Sequence, residues 1–115
     1  PHRYSRTMHL MDEFGRSFHN ADTVRVLDVY AASERPIEGV SGEVLAERLR
    51  AFGHKGVEYT PDIDSAVASA AAVVKEGDAV LTLGAGNVWQ AGDRLLERLR
   101  KDALNAEAGQ GGQSA

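Results

Sequence analysis

A chain of 115 residues with 43% apolar and 26% charged residues has the length of one domain and enough apolar material for one core. Its formal net charge of −4 excludes the broad basic face of a general nucleic-acid or membrane-surface binder. The absence of cysteine excludes a disulfide framework or thiolate metal site and points to a reducing, cytoplasmic setting, and no apolar run has the length of a signal peptide or of the ~20 residues a membrane span needs.

The chain opens with Pro1-His2-Arg3-Tyr4-Ser5-Arg6-Thr7, which gathers two guanidinium groups, an imidazole and three hydroxyls with no carboxylate among them. Such a cluster is suited to an anion, because arginine grips carboxylate or phosphate with two parallel donors; a solvated basic segment is the plain alternative. Thr7 reads as the N-cap of a helix reaching about Phe18, with Leu10, Met11, Phe14 and Phe18 on one stripe. Thr23-Val24-Arg25-Val26-Leu27-Asp28-Val29-Tyr30 predicts a strand with Asp28 near its C-terminal end. Residues 31–40, with Pro36 and Gly39, form a loop longer than a simple connection needs. Ser41 caps a second helix that buries Val44, Leu45, Leu49 and Phe52 and stops at Gly53.

Gly56-Val57-Glu58-Tyr59 predicts a short strand, and Thr60-Pro61-Asp62 opens a third helix carrying Ile63, Val67, Ala70, Ala71 and Val74 up to Gly77. Asp78-Ala79-Val80-Leu81-Thr82-Leu83 is nearly continuous in apolar character, as a strand buried on both faces should be. Gly84-Ala85-Gly86-Asn87 then turns into a last helix from Val88 to about Ala103, with Leu95, Leu96 and Leu99 inward. The Gly, Gln and Ser content of residues 105–115 predicts a disordered tail behind a domain of residues 1–104.

The order α-β-α-β-α-β-α predicts an α/β fold with a mostly parallel sheet and helices on both faces. Because such a sheet normally begins with a strand, one is expected ahead of Pro1. Ligands of such sheets bind beyond the carboxyl ends of the strands. Three features fall there: the opening cluster, the segment from Asp28 to Gly39 that includes Tyr30, and the Gly84-Ala85-Gly86-Asn87 turn. That turn offers free backbone N–H groups to a phosphate or carboxylate, although a purely structural tight turn has the same composition. Trp89 at the third glycine position excludes a dinucleotide fingerprint, and no Gly-Lys-Ser/Thr follows to make a P-loop. His9, His19 and His54 are too isolated in spacing to suggest a metal site, so no metal ligands are expected. No nucleophile-base-acid triad is present, and independent catalysis is not expected.

Taken together, Pro1-His2-Arg3-Tyr4-Ser5-Arg6-Thr7, Leu27-Asp28-Val29-Tyr30-Ala31-Ala32 with Pro36-Ile37 and Gly39, and Leu83-Gly84-Ala85-Gly86-Asn87 closely resemble the C-terminal domain of Mur ligases over about residues 1–100. The form resembled is the one that joins L-alanine to UDP-N-acetylmuramate in peptidoglycan synthesis. The resemblance implies a Rossmann-like unit that closes over a central domain holding ATP and Mg, with an N-terminal domain for the UDP-sugar; both lie outside this sequence. It implies catalytic roles for Arg6 and His2, a hold by His2, Arg3 and Arg6 on the L-alanine carboxylate or adjacent phosphate, and backbone donors from Gly84, Ala85, Gly86 and Asn87. Such a domain is inactive alone and has neither a nucleic-acid nor a membrane partner. The family's strand ending just before Pro1 is absent from this sequence, and its commoner residue at Asn87 is aspartate. A free-standing α/β module binding an anionic nucleotide or metabolite is the competing reading, motivated by the glycine turn.

Overall fold

Local capping chemistry and apolar periodicity account for most element boundaries in the computed structural model of the protein, which describes residues 1–113, with side chains as far as residue 109. The order is α1 (Tyr4–Arg16), β1 (Val24–Val26), α2 (Gly42–Ala51), β2 (Val57–Tyr59), α3 (Ile63–Val73) and α4 (Trp89–Gln113). β1 and β2 pair in parallel, with Val24 opposite Val57 and Val26 opposite Tyr59. The class is therefore mixed α/β with a parallel sheet, and among the described residues that sheet has two strands.

The two helices around the crossover start where the sequence provides an oxygen for their first free N–H groups. The Ser41 hydroxyl accepts from the Val44 N–H at 3.1 Å. Asp62 accepts from the Ser65 N–H at 2.7 Å, while the Ser65 hydroxyl accepts from the Asp62 N–H at 3.3 Å, a reciprocal capping box. Gly42 lets α2 begin directly against the end of the first strand, because a β-carbon there would run into the Leu27 carbonyl oxygen and the Asp28 backbone.

Side chains alternate across the strands, so the sheet has two different faces. Val24, Val26, Val57 and Tyr59 turn toward α2, where Leu45, Ala46 and Leu49 join Met11 of α1 in the core. Ala46 and Leu49 are 0% and 1% exposed. Arg25 and Glu58, opposite one another in the register, turn instead toward α3: Arg25 Nε donates to Ser69 Oγ at 2.6 Å and the Ser69 hydroxyl donates to Glu58 Oε2 at 2.7 Å. α4 packs on α3, with Leu95 buried.

Four expectations are corrected. α1 begins at Tyr4, ahead of Thr7; the Thr7 hydroxyl donates back to the Arg3 carbonyl at 2.8 Å, so Thr7 is a buried interior residue of the first turn and no cap. The first strand is shorter than residues 23–30, and Tyr30 is paired separately, in an isolated parallel bridge to His2. Residues 78–83 form no strand: Leu81 is 80% exposed and Leu83 62%. Apolar continuity expresses a preference for burial, but a strand also needs a neighbour for its backbone groups, and no strand runs beside this segment among the described residues. Finally, Leu96 of α4 is exposed while Leu95 is buried, and α4 continues past Ala103 to Gln113 through the helix formers Ala103, Leu104, Ala106 and Ala108. The expected tail is thus helical as far as Gln113, and residues 114–115 lie outside the described residues. No described helix is long and apolar enough to cross a membrane.

Candidate functional site

The opening segment reaches its position by pairing with the end of the β1 segment. The Tyr30 N–H donates to the Pro1 carbonyl at 2.8 Å, and the Arg3 N–H donates to the Tyr30 carbonyl at 2.6 Å. Between these two bonds the His2 imidazole stacks on the Tyr30 ring, with centroids 5.4 Å apart and planes 11° from parallel. Arg3 then takes φ 61°, a left-handed backbone value that glycine adopts readily and other residues rarely do. Bonds on either side hold it there: its N–H to Tyr30, and its carbonyl accepting from both the N–H and the hydroxyl of Thr7. A backbone outlier fixed in this way marks a place where the fold constrains local geometry.

The result is an open cleft of about 440 Å³ lined by His2, Arg3, Ser5, Arg6 and His9. His2, Arg3 and Arg6 are thereby brought together, with both arginines exposed. Sequence reasoning missed His9 as a neighbour of the cluster; it follows Arg6 by three residues on α1, a helical spacing that a start at Tyr4 would have revealed.

It also missed a carboxylate. Glu34, from the loop of residues 31–40, accepts from the Ser5 hydroxyl at 2.7 Å and from the Ser5 N–H at 3.3 Å. The Ser5 hydroxyl holds the Glu34 carboxyl below its ordinary value; desolvation opposes it as the next-largest effect, and the Ser5 and Tyr4 N–H groups and the Arg3 charge add smaller lowering contributions. The opening cluster therefore has a counter-charge, supplied from 29 positions away, where no local pattern announces it. Glu34 occupies the N-terminus of α1 as a capping acid would, completing the donors that Arg3 as N-cap leaves open.

The Gly84-Ala85-Gly86-Asn87 turn does not open into that cleft. Asn87 lines a second one of about 320 Å³, together with Asp28, Tyr30, Asp62, Asp64 and Arg94. The charged groups there are already engaged. Asp28 Oδ1 accepts from the Val29 N–H at 3.0 Å and the Gly42 N–H at 3.2 Å, joining strand end to helix start. Burial, followed by the Asp28 charge and its hydrogen bond, pushes the Tyr59 phenol above its usual value. Asp62 caps α3, and Arg94 donates to Asp64 at 2.7 Å. Gly86, at φ 80°, lies against the Tyr30 ring: a β-carbon there would come within 3.1 to 3.2 Å of three ring carbons.

The remaining imidazoles are apart from both clefts. His54 is buried and fully bonded, accepting at Nδ1 from the Gly56 N–H at 3.1 Å and donating from Nε2 to the Ala21 carbonyl at 2.7 Å, so it fastens the α2–β2 turn. His19 is exposed. No group of three or more carboxylate, imidazole or thiol ligands comes together among the described residues. Chemically, the first cleft offers exposed cationic donors at the head of a helix and no paired nucleophile and base. It is equipped to hold and orient an anionic group.

Comparison with known proteins adds the context. A family model described as Mur ligase, glutamate ligase domain, matches residues 2–86. The UDP-N-acetylmuramate--L-alanine ligases of Solibacter usitatus, Syntrophotalea carbinolica and Salinibacter ruber are 62%, 52% and 49% identical to this chain over 102, 101 and 106 residues, which cover 89%, 88% and 92% of it. The chain spans 22% of the length of each of these relatives.

Proposed function

The chain belongs to the Mur ligase family, and on that premise we propose that it is the C-terminal domain of an ATP-dependent ligase joining L-alanine to UDP-N-acetylmuramate in the cytoplasmic steps of peptidoglycan synthesis. The observation that carries the reading is the cleft in which His2, Arg3 and Arg6 stand together at the head of α1. In the reaction, a muramate carboxylate oxygen attacks the terminal phosphorus of ATP and ADP leaves, giving an acyl phosphate. The L-alanine amine attacks the acyl carbon, a proton is lost from nitrogen, and phosphate departs with the bonding pair as the amide forms. Neither step needs a protein nucleophile. Both accumulate negative charge, and both need the amino acid held at a fixed angle to the acyl group.

In this reading Arg6 and Arg3 grip the L-alanine carboxylate or the leaving phosphate, with His2 beside them as a further donor. The turn at Gly84, Ala85, Gly86 and Asn87 presents backbone donors on the adjoining side. ATP and Mg belong to the central domain: the chain has no P-loop, and its described residues assemble no ligand set for the metal, so nothing in this chain is assigned to them. The Rossmann-like form belongs to the same proposal. Pro1 to Arg3 run parallel to the strand end at Tyr30, which supports a further parallel strand leading into this segment.

The test is kinetic, in the full-length ligase. Arg6→Ala removes a charge-assisted contact and should raise the KM for L-alanine or lower kcat by about ten- to a hundredfold, the size expected for such a bond. Wild-type kinetics in that variant would sink the site assignment.

A further inference from the structure

We infer that Tyr30 is a positioning residue for the cationic cleft: its ring, by stacking on His2 and resting against Gly86, fixes the imidazole where the L-alanine carboxylate or adjacent phosphate is held. The inference rests on the proposed reading of that cleft and adds a residue that acts on the anion only through another.

Three observations lead to it. First, the ring serves no core. Tyr30 is 46% exposed and lies outside the buried apolar cluster, so its contacts with His2 and Gly86 are what give the ring a structural task. Second, the side chain and the backbone of Tyr30 do separate things. The bonds to Pro1 and Arg3 are made by its N–H and carbonyl and survive any substitution other than proline, so the opening segment stays paired while the stack is removed. Third, the ring stands between the two clefts. It contacts the imidazole that lines one and the glycine of the turn whose Asn87 lines the other. An unpacked imidazole rotates among several rotamers; one laid against a nearly parallel ring, with the backbone bonded on both sides, is confined to few.

The phenolic oxygen makes no hydrogen bond within the described residues, so the ring alone carries the role, and this separates positioning from direct contact with a ligand. In the full-length ligase, Tyr30→Phe should keep the KM for L-alanine within about twofold of wild type, whereas Tyr30→Leu, which keeps apolar bulk and loses the ring, should raise it by about two- to tenfold, the worth of one stacked pair. The KM for UDP-N-acetylmuramate should not move in either variant. Combined with His2→Ala, Tyr30→Leu should add no further loss, because the two residues act as one unit.

Wild-type kinetics in Tyr30→Leu, a loss in Tyr30→Phe matching that in Tyr30→Leu, or full additivity with His2→Ala would each overturn the inference. An impaired His2→Ala enzyme with an unimpaired Tyr30→Leu enzyme defeats this inference alone. Unimpaired His2→Ala and Arg6→Ala enzymes together defeat the reading of the cleft beneath it.

Discussion

The two faces of the small sheet are stabilised by different physics. Toward α2 the face is closed by apolar burial: Leu49 and Ala46 are almost without exposed surface, and Met11, Val26, Val40, Leu45 and Val57 complete the cluster. Toward α3 the same strands present Arg25 and Glu58, and Ser69 of α3 ties the pair by hydrogen bonds, while residues 78–83 stand in solvent beyond. The lesson is that one parallel strand pair can be a core wall on one side and a polar platform on the other. The strand period of two is what keeps the two roles from interfering.

The largest effect should come from the apolar face. Leu49→Ala leaves a cavity among buried side chains and should lower the unfolding free energy of the full-length protein by about 2–5 kcal/mol, read as a shift of the denaturant midpoint. A loss no larger than that of a surface change would show that this face is loosely packed, and the contrast would fail. On the polar face, Arg25→Ala removes the 2.6 Å bond to Ser69 and the 3.2 Å bond to the Gly56 carbonyl, while Ser69 keeps Glu58 as its acceptor. A cost of about 1.5–3 kcal/mol is expected, the range for a hydrogen bond to a charged group. Smallest of all, Leu81→Ser should change stability by less than about 0.5 kcal/mol, as for any surface substitution without partners. A larger loss in the same denaturation experiment would mean that residues 78–83 are covered by another part of the full-length protein, and would sharpen the comparison by closing the second face too.

These contrasts also explain what could be read from the sequence. α2 was legible almost to the residue and α3 at its start, because Ser41, Asp62 and Gly53 act on backbone groups within one turn and the apolar spacing is local, whereas α3 ends at Val73, short of the expected Gly77. The short strand at Val57 was legible for the same reason. Residues 78–83 were misread because strand formation depends on a partner that composition cannot name. The start of α1 was misplaced because its capping acid, Glu34, comes from another loop. In the candidate site, the cationic residues were evident from composition alone, while Tyr30 was expected at the ligand edge from a strand that in fact ends at Val26. That its ring would pair with His2, and that Asp28 would spend an oxygen on Gly42, follow from tertiary contacts with no local signature.

The left-handed backbone of Arg3 carries one more consequence. Glycine at this position would relax the dihedral by about 1 kcal/mol or more and at the same time delete the guanidinium from the cleft. On the proposed reading of the cleft, folding and ligand affinity are thus set against each other at a single residue, a trade-off in which selection for stability alone would erase the charge.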